Sequence, residues 1–158
     1  PQVGVYLNDS TQSKMQYYLD KKTTVRSVRC SSDGVQTLQL TTTFHSTAPA
    51  DASELPKYIT GAGVRIPKGT MLLDTRFFAP SGGEFTEFTF NGKPRANNGV
   101  LFDTRPTNFA AFPLKPGQTV TIDATMTTAK DQRPDAVVST TPGARSTPNG
   151  VIVSSACH

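Results

Sequence analysis

TVTIDATMTT, residues 119–128, sets Val120, Ile122, Ala124 and Met126 on one side of an extended chain and Thr119, Thr121, Asp123, Thr125 and Thr127 on the other. Successive side chains of a strand point to opposite faces, so this pattern is a strand with one dry and one wet surface. Residues 35–47 repeat it: Leu38, Leu40 and Phe44 share one face, while Thr37, Gln39, Thr41, Thr43 and His45 share the other. One-sided burial of this kind belongs to antiparallel sheets. Strand-like runs also occur at 3–7, 22–30, 69–80, 83–94, 99–106, 108–114, 136–141 and 150–157. With the first two these are ten runs, read as about nine strands. Asn91-Gly92 marks a type I′ hairpin, and residues 115–118 mark a turn. Connections of mixed length favour an immunoglobulin-like two-sheet antiparallel β-sandwich, with one or two short helices, over a meander barrel.

The chain has 158 residues, which fits one domain, 1–158. Hydrophobic residues are 35% and charged residues only 18%, a polar composition in which threonine takes the place of charge. The net charge of +4 is scattered, with no dense basic run. Nucleic-acid binding is not expected on that pattern; a weak attraction to anionic wall polymers or lipid headgroups is compatible with it. No run reaches the ~18 apolar residues of a membrane helix. The sequence opens at Pro1 rather than Met, and the expectation is a domain excised from a larger protein.

The two cysteines, Cys30 and Cys157, have neither zinc-site nor redox-pair spacing. A bond between them would tie the last strand to an early one, worth roughly 4–5 kcal/mol by chain entropy, and would require an oxidising compartment. Two separate buried thiols are the alternative.

GVYLNDSTQSKMQYYLD, residues 4–20, is the most distinctive stretch. Asp9 precedes Gln12 at capping-box spacing, and residues 10–19 are expected to be a short helix with Met15, Tyr18 and Leu19 on one apolar stripe and Lys14 at its edge. Residues 48–61 are expected to cross between sheets, with a helical turn near Ser53 and Leu55, Tyr58 and Ile59 as anchors. LLDTR (72–76) and LFDTR (101–105) read as strands carrying a charge pair on the wet face, and 142–149 as a flexible loop.

No catalytic constellation stands out. His45 falls among threonines, His158 is the last residue, and there is no G-x-S-x-G elbow. Glutamates are few (Glu54, Glu84, Glu87), and Asp74, Asp103 and Asp123 fall on solvated strand faces, away from the paired geometry of a glycosidase. NDST and SSDG are too short for a Ca²⁺ loop. Lys14, Asn8 and Asp9 have the residue types of an isopeptide site but lie on one local element, where capping or ion pairing accounts for them. No cofactor or metal is expected. The chain has no tryptophan. Adjacent rings must put one ring outward, which makes Tyr17 and one of Phe77 and Phe78 a candidate partner patch.

The 4–20 stretch, a Cys closing the next strand, ELPKYITG, PKGT and LKPGQTVTI resemble, in order, the actinobacterial DUF4012 proteins, most strongly at 3–30 and 52–70. The residues that match are Tyr6, Asn8, Lys14, Met15, Tyr18, Leu19 and Cys30. The resemblance implies the carboxyl-terminal part of a membrane-anchored envelope protein with no assigned activity. The expectation is therefore a non-catalytic extracytoplasmic interaction or scaffold domain at the cell surface. Its partner would be the rest of its own ectodomain or another envelope protein, and it would touch the membrane only through an anchor outside this chain. Two rivals are a module binding anionic cell-wall glycan and an accessory domain of an envelope-polymer enzyme.

Overall fold

The computed structural model describes residues 1–157; His158 lies outside the described residues. In chain order the strands are β1 (Gln2–Asp9), β2 (Leu19–Cys30), β3 (Gln36–Ser46), β4 (Met71–Phe78), β5 (Glu84–Phe90) and β6 (Lys93–Pro94). They continue with β7 (Leu101–Phe102), β8 (Arg105–Leu114), β9 (Thr119–Thr127), β10 (Ala136–Thr140), β11 (Arg145–Ser146) and β12 (Val151–Val153). These form two six-stranded sheets, ordered β12-β10-β1-β4-β8-β7 and β11-β2-β3-β9-β5-β6, packed against each other. Strand takes 50% of the chain and helix 7%, in a few short turns.

The alternation of residues 119–128 is real. Val120, Ile122, Ala124 and Met126 are all buried, and the strand lies between β3 and β5. Edge-to-face ring pairs join the sheets: Phe44 of β3 meets Phe112 of β8 at 5.4 Å between centroids, and Phe77 of β4 meets Phe88 of β5 at 5.4 Å. Asn91 and Gly92 both take positive φ, 49° and 72°, and turn β5 into β6 as a type I′ hairpin demands.

Several expectations need correction. The sheets are mixed rather than purely antiparallel, because β10 runs parallel to β1 and β11 runs parallel to β2. Both strands return from distant parts of the chain, which gives the length that a parallel pairing requires. The helix expected over 10–19 is a single 3₁₀ turn, Met15–Tyr18, and Leu19 already belongs to β2. Gln12 at φ 55° interrupts any helix from Asp9. LFDTR is not a strand: Asp103, at φ 56°, turns β7 back into β8. Residues 142–149 are tethered rather than loose, through β11 and through Thr147, which donates to the Lys21 carbonyl at 3.0 Å.

Cys30 ends β2 in one sheet, and Cys157 follows β12 in the other; they form a disulfide with Cα atoms 5.0 Å apart. A structural disulfide persists in oxidising surroundings, which fits an extracytoplasmic setting. No helix among the described residues is long and apolar enough to cross a membrane.

Between the sheets lies a charge that strand alternation does not reveal. Lys21, on the inner face of β2, is 2% exposed, and its Nζ donates to the Thr141 carbonyl at 2.6 Å. Burial pushes its pKa down to about 8.

Candidate functional site: an aromatic sheet face and a basic groove

The outer face of the first sheet carries an unusual amount of aromatic surface. Gly4 of β1 lies opposite Phe78 of β4. A Cβ on Gly4 would stand 2.8 Å from Tyr6 Cε2, so the missing side chain is what lets the Tyr6 ring lie back toward Phe78. The Tyr6 and Phe78 centroids are 5.6 Å apart at 78°, and Phe78 continues to Phe102 of β7 at 6.1 Å and 88°. Arg105 sets its guanidinium 5.3 Å from the Phe78 centroid while donating to the carbonyls of Gln2 and Ala79. Phe109 of β8 and Arg76 of β4 are register partners and share this face. Phe102 is 66% exposed and Phe109 46%.

The residues singled out from sequence divide among several places. Tyr6 and Phe78 join this face. Phe77 does not: it is fully buried, because the inward set of β4 is Met71, Leu73, Thr75 and Phe77. Asn8 lies on the outer face opposite Asp74. Met15 and Leu19 are core, and Tyr18 is partly buried against it. Tyr17 is exposed, but its neighbours are Tyr18 at 5.3 Å and the Arg145 guanidinium at 6.0 Å, not the phenylalanines. Asp9 caps no helix. Its Oδ1 accepts from the Thr11 amide and hydroxyl and from the Leu72 amide, and its Oδ2 accepts from Ser13. Lys14 reaches over the Tyr58 ring, 5.7 Å from the centroid. Tyr58 was expected as an anchor of the crossing segment; Leu55 and Ile59 pack against the core, whereas Tyr58 is 68% exposed.

That exposed tyrosine belongs to a second feature. The loop after β1 and residues 57–70 bound an open groove of about 770 Å³. The Lys14 amide, donating to the Ile59 carbonyl at 2.8 Å, ties the two walls together. Lys57 and Arg65 line it with Tyr58, beside the polar side chains of Thr11, Gln12 and Thr60, and no carboxylate lines it. Ion pairs among the described residues are Lys130–Asp33 and Arg145–Asp20, so the groove cations are unpaired. Sequence reasoning missed this site. Its signal was KYITGAGVRIPKG, residues 57–69, with three cations, three glycines and no acid.

His45 Nδ1 pairs with Thr119 Oγ1 at 2.9 Å, and Asp123 accepts from Thr41 and Thr89. No group of three or more His, Cys, Asp or Glu able to hold a metal occurs among the described residues.

No family model matches the chain, and no curated protein does. Among solved structures, it is similar to a candidate nutrient-binding protein from Legionella pneumophila, with 9% identity and a TM-score of 0.46, over 87% of this chain and 54% of that one. It is also similar to part of an M1 zinc metallopeptidase from Deinococcus radiodurans, with 13% identity and a TM-score of 0.35, over 73% of this chain and 22% of that one. The chain thus spans about half the length of the first and about a fifth of the second.

Proposed function

We propose that this chain is a non-catalytic interaction domain working outside the cytoplasm, and that the outer face of its first sheet packs against another protein surface. Following the sequence resemblance, it is read as the terminal domain of a membrane-anchored actinobacterial envelope protein of the DUF4012 type. Its partner is the remainder of that ectodomain or a second envelope protein. One observation carries the reading: the Tyr6, Phe78 and Phe102 rings, with Arg105 and Phe109, stand on a solvent face rather than in the core. Aromatic residues and arginine are the side chains most enriched where protein interfaces concentrate their energy. The successive rings are nearly perpendicular, so they form a corrugated surface that accepts side chains rather than a flat platform for a sugar ring.

The test is retention of the purified domain on isolated actinobacterial cell envelopes, before and after the envelopes are digested with protease. Measured at about 300 mM salt, where binding to charged polysaccharide is screened, retention should vanish after digestion and should fall about tenfold in a Phe102→Ser/Phe109→Ser variant, as loss of an aromatic anchor predicts. Retention indifferent to both treatments rejects a protein partner on this face.

A further inference from the structure

We infer that the groove between the 10–12 loop and residues 57–70 is a binding site for an anionic polysaccharide, independent of the aromatic sheet face. Charge is the first reason. Lys57 and Arg65 line the groove, Lys14 stands over Tyr58 and Lys68 follows close behind, yet no acidic side chain lines it. Asp9, which precedes the 10–12 loop, is turned to its own loop by Thr11, Ser13 and Leu72. A concave site of one sign, with its cations unneutralised, selects an anionic ligand.

Shape and chemistry narrow the class. At about 770 Å³ the groove holds far more than a single inorganic ion. Its walls offer the Ser10 hydroxyl and the Gln12 amide, which suit sugar hydroxyls, whereas the Thr11 and Thr60 hydroxyls already donate to Asp9 and to the Gly61 carbonyl. Tyr58 adds one exposed ring face beside them. A single ring and scattered cations do not make the series of stacking platforms and the dense charge that single-stranded nucleic acid requires. A bilayer surface is flat and would not reach the floor of a concave site, although Val64, 87% exposed at the rim, makes the membrane the rival to be tested.

The experiment uses size-defined alginate oligosaccharides, whose sugars carry carboxylates, with neutral dextran, a thymidine oligonucleotide and phosphatidylglycerol vesicles as comparators, in titration calorimetry or fluorescence anisotropy. The intact domain should bind alginate and not dextran, with affinity falling steeply from about 50 to about 300 mM salt. Lys57→Gln/Arg65→Gln should weaken binding about tenfold, and Tyr58→Ala several-fold, without changing the melting temperature. Lys93→Gln/Lys130→Gln removes the same net charge elsewhere and should leave affinity within about twofold. The inference is overturned by equal loss in that control pair, by equal binding of the oligonucleotide, or by vesicle binding that exceeds alginate binding and is lost in Val64→Ser. Phe102→Ser/Phe109→Ser should keep full alginate affinity, so failure of the sheet-face reading and failure of the groove reading give different results.

Discussion

The Lys21 ammonium donates to the Thr141 carbonyl across the interior, 2.6 Å away, joining the inner face of β2 to the end of β10 with no acid in partnership. Burial holds the folded pKa at about 8, against an ordinary value of 10.5. Between those two values the unfolded chain keeps a proton that the folded chain has released, so stability rises with pH across this window. Below about pH 8 both states are protonated, and this group makes no contribution to the slope. From pH 7 to 9.5 the domain should gain about 2 kcal/mol in urea denaturation. Lys21→Met should abolish that rise. It should also be more stable than the parent at pH 7, by about 1 kcal/mol, since removing a buried charge outweighs leaving one carbonyl unpaired. A flat pH profile in the parent would mean that water reaches the amine.

Cys30 and Cys157 are 127 positions apart, so their bond restricts nearly the whole unfolded chain. It also joins the free ends of β2 and β12, one from each sheet. Cys30→Ser/Cys157→Ser should lose about 4–5 kcal/mol on the chain-entropy estimate, read from the shift in urea midpoint at unchanged slope. Two reagent-accessible thiols in protein secreted natively would remove the bond and the compartment argument together.

The direction of β4 decides which of two neighbouring phenylalanines is structural. Phe77 is fully buried against Phe88, while Phe78 faces outward between Tyr6 and Phe102. Phe77→Ala should cost about 3–5 kcal/mol, as for a ring removed from a packed core. Phe78→Ala should cost about 1 kcal/mol, the value of its edge contacts. Thermal and urea denaturation of the two variants check the orientation directly; equal losses would put both rings in the core.

Strand alternation was legible wherever the inner residues are apolar, as in β9, because period-two burial is a local property. It failed at the start of β2. There Lys21 and Thr23 occupy interior positions, so the inward set Leu19, Lys21, Thr23 does not look apolar, and the Met15–Leu19 spacing imitates a helix. The parallel return of β10 to β1 depends on pairing across more than a hundred residues, about which local pattern is silent. The inward choice between Phe77 and Phe78 was decidable in principle, since Met71, Leu73 and Thr75 already set the phase of β4. The groove was not: its walls meet only because β1 ends beside β4, which brings the residue 10–12 loop against the crossing segment.

Asp9 organises the wall of that groove through one oxygen more than the other. Oδ1 accepts from the Thr11 amide at 3.0 Å, the Thr11 hydroxyl at 2.7 Å and the Leu72 amide at 3.3 Å, whereas Oδ2 accepts only from the Ser13 hydroxyl at 3.2 Å. Asp9→Ala therefore strips the loop of its acceptor and leaves two amides to find water. The expected cost is about 1–3 kcal/mol, with faster hydrogen exchange at Thr11 and Leu72. Asp9→Asn keeps a carbonyl oxygen at the position of Oδ1 and can donate to Ser13 from the other atom, so it should lose less than half as much and should protect the same two amides. Equal losses in the two variants would show that the negative charge holds the loop, not the geometry of its hydrogen bonds.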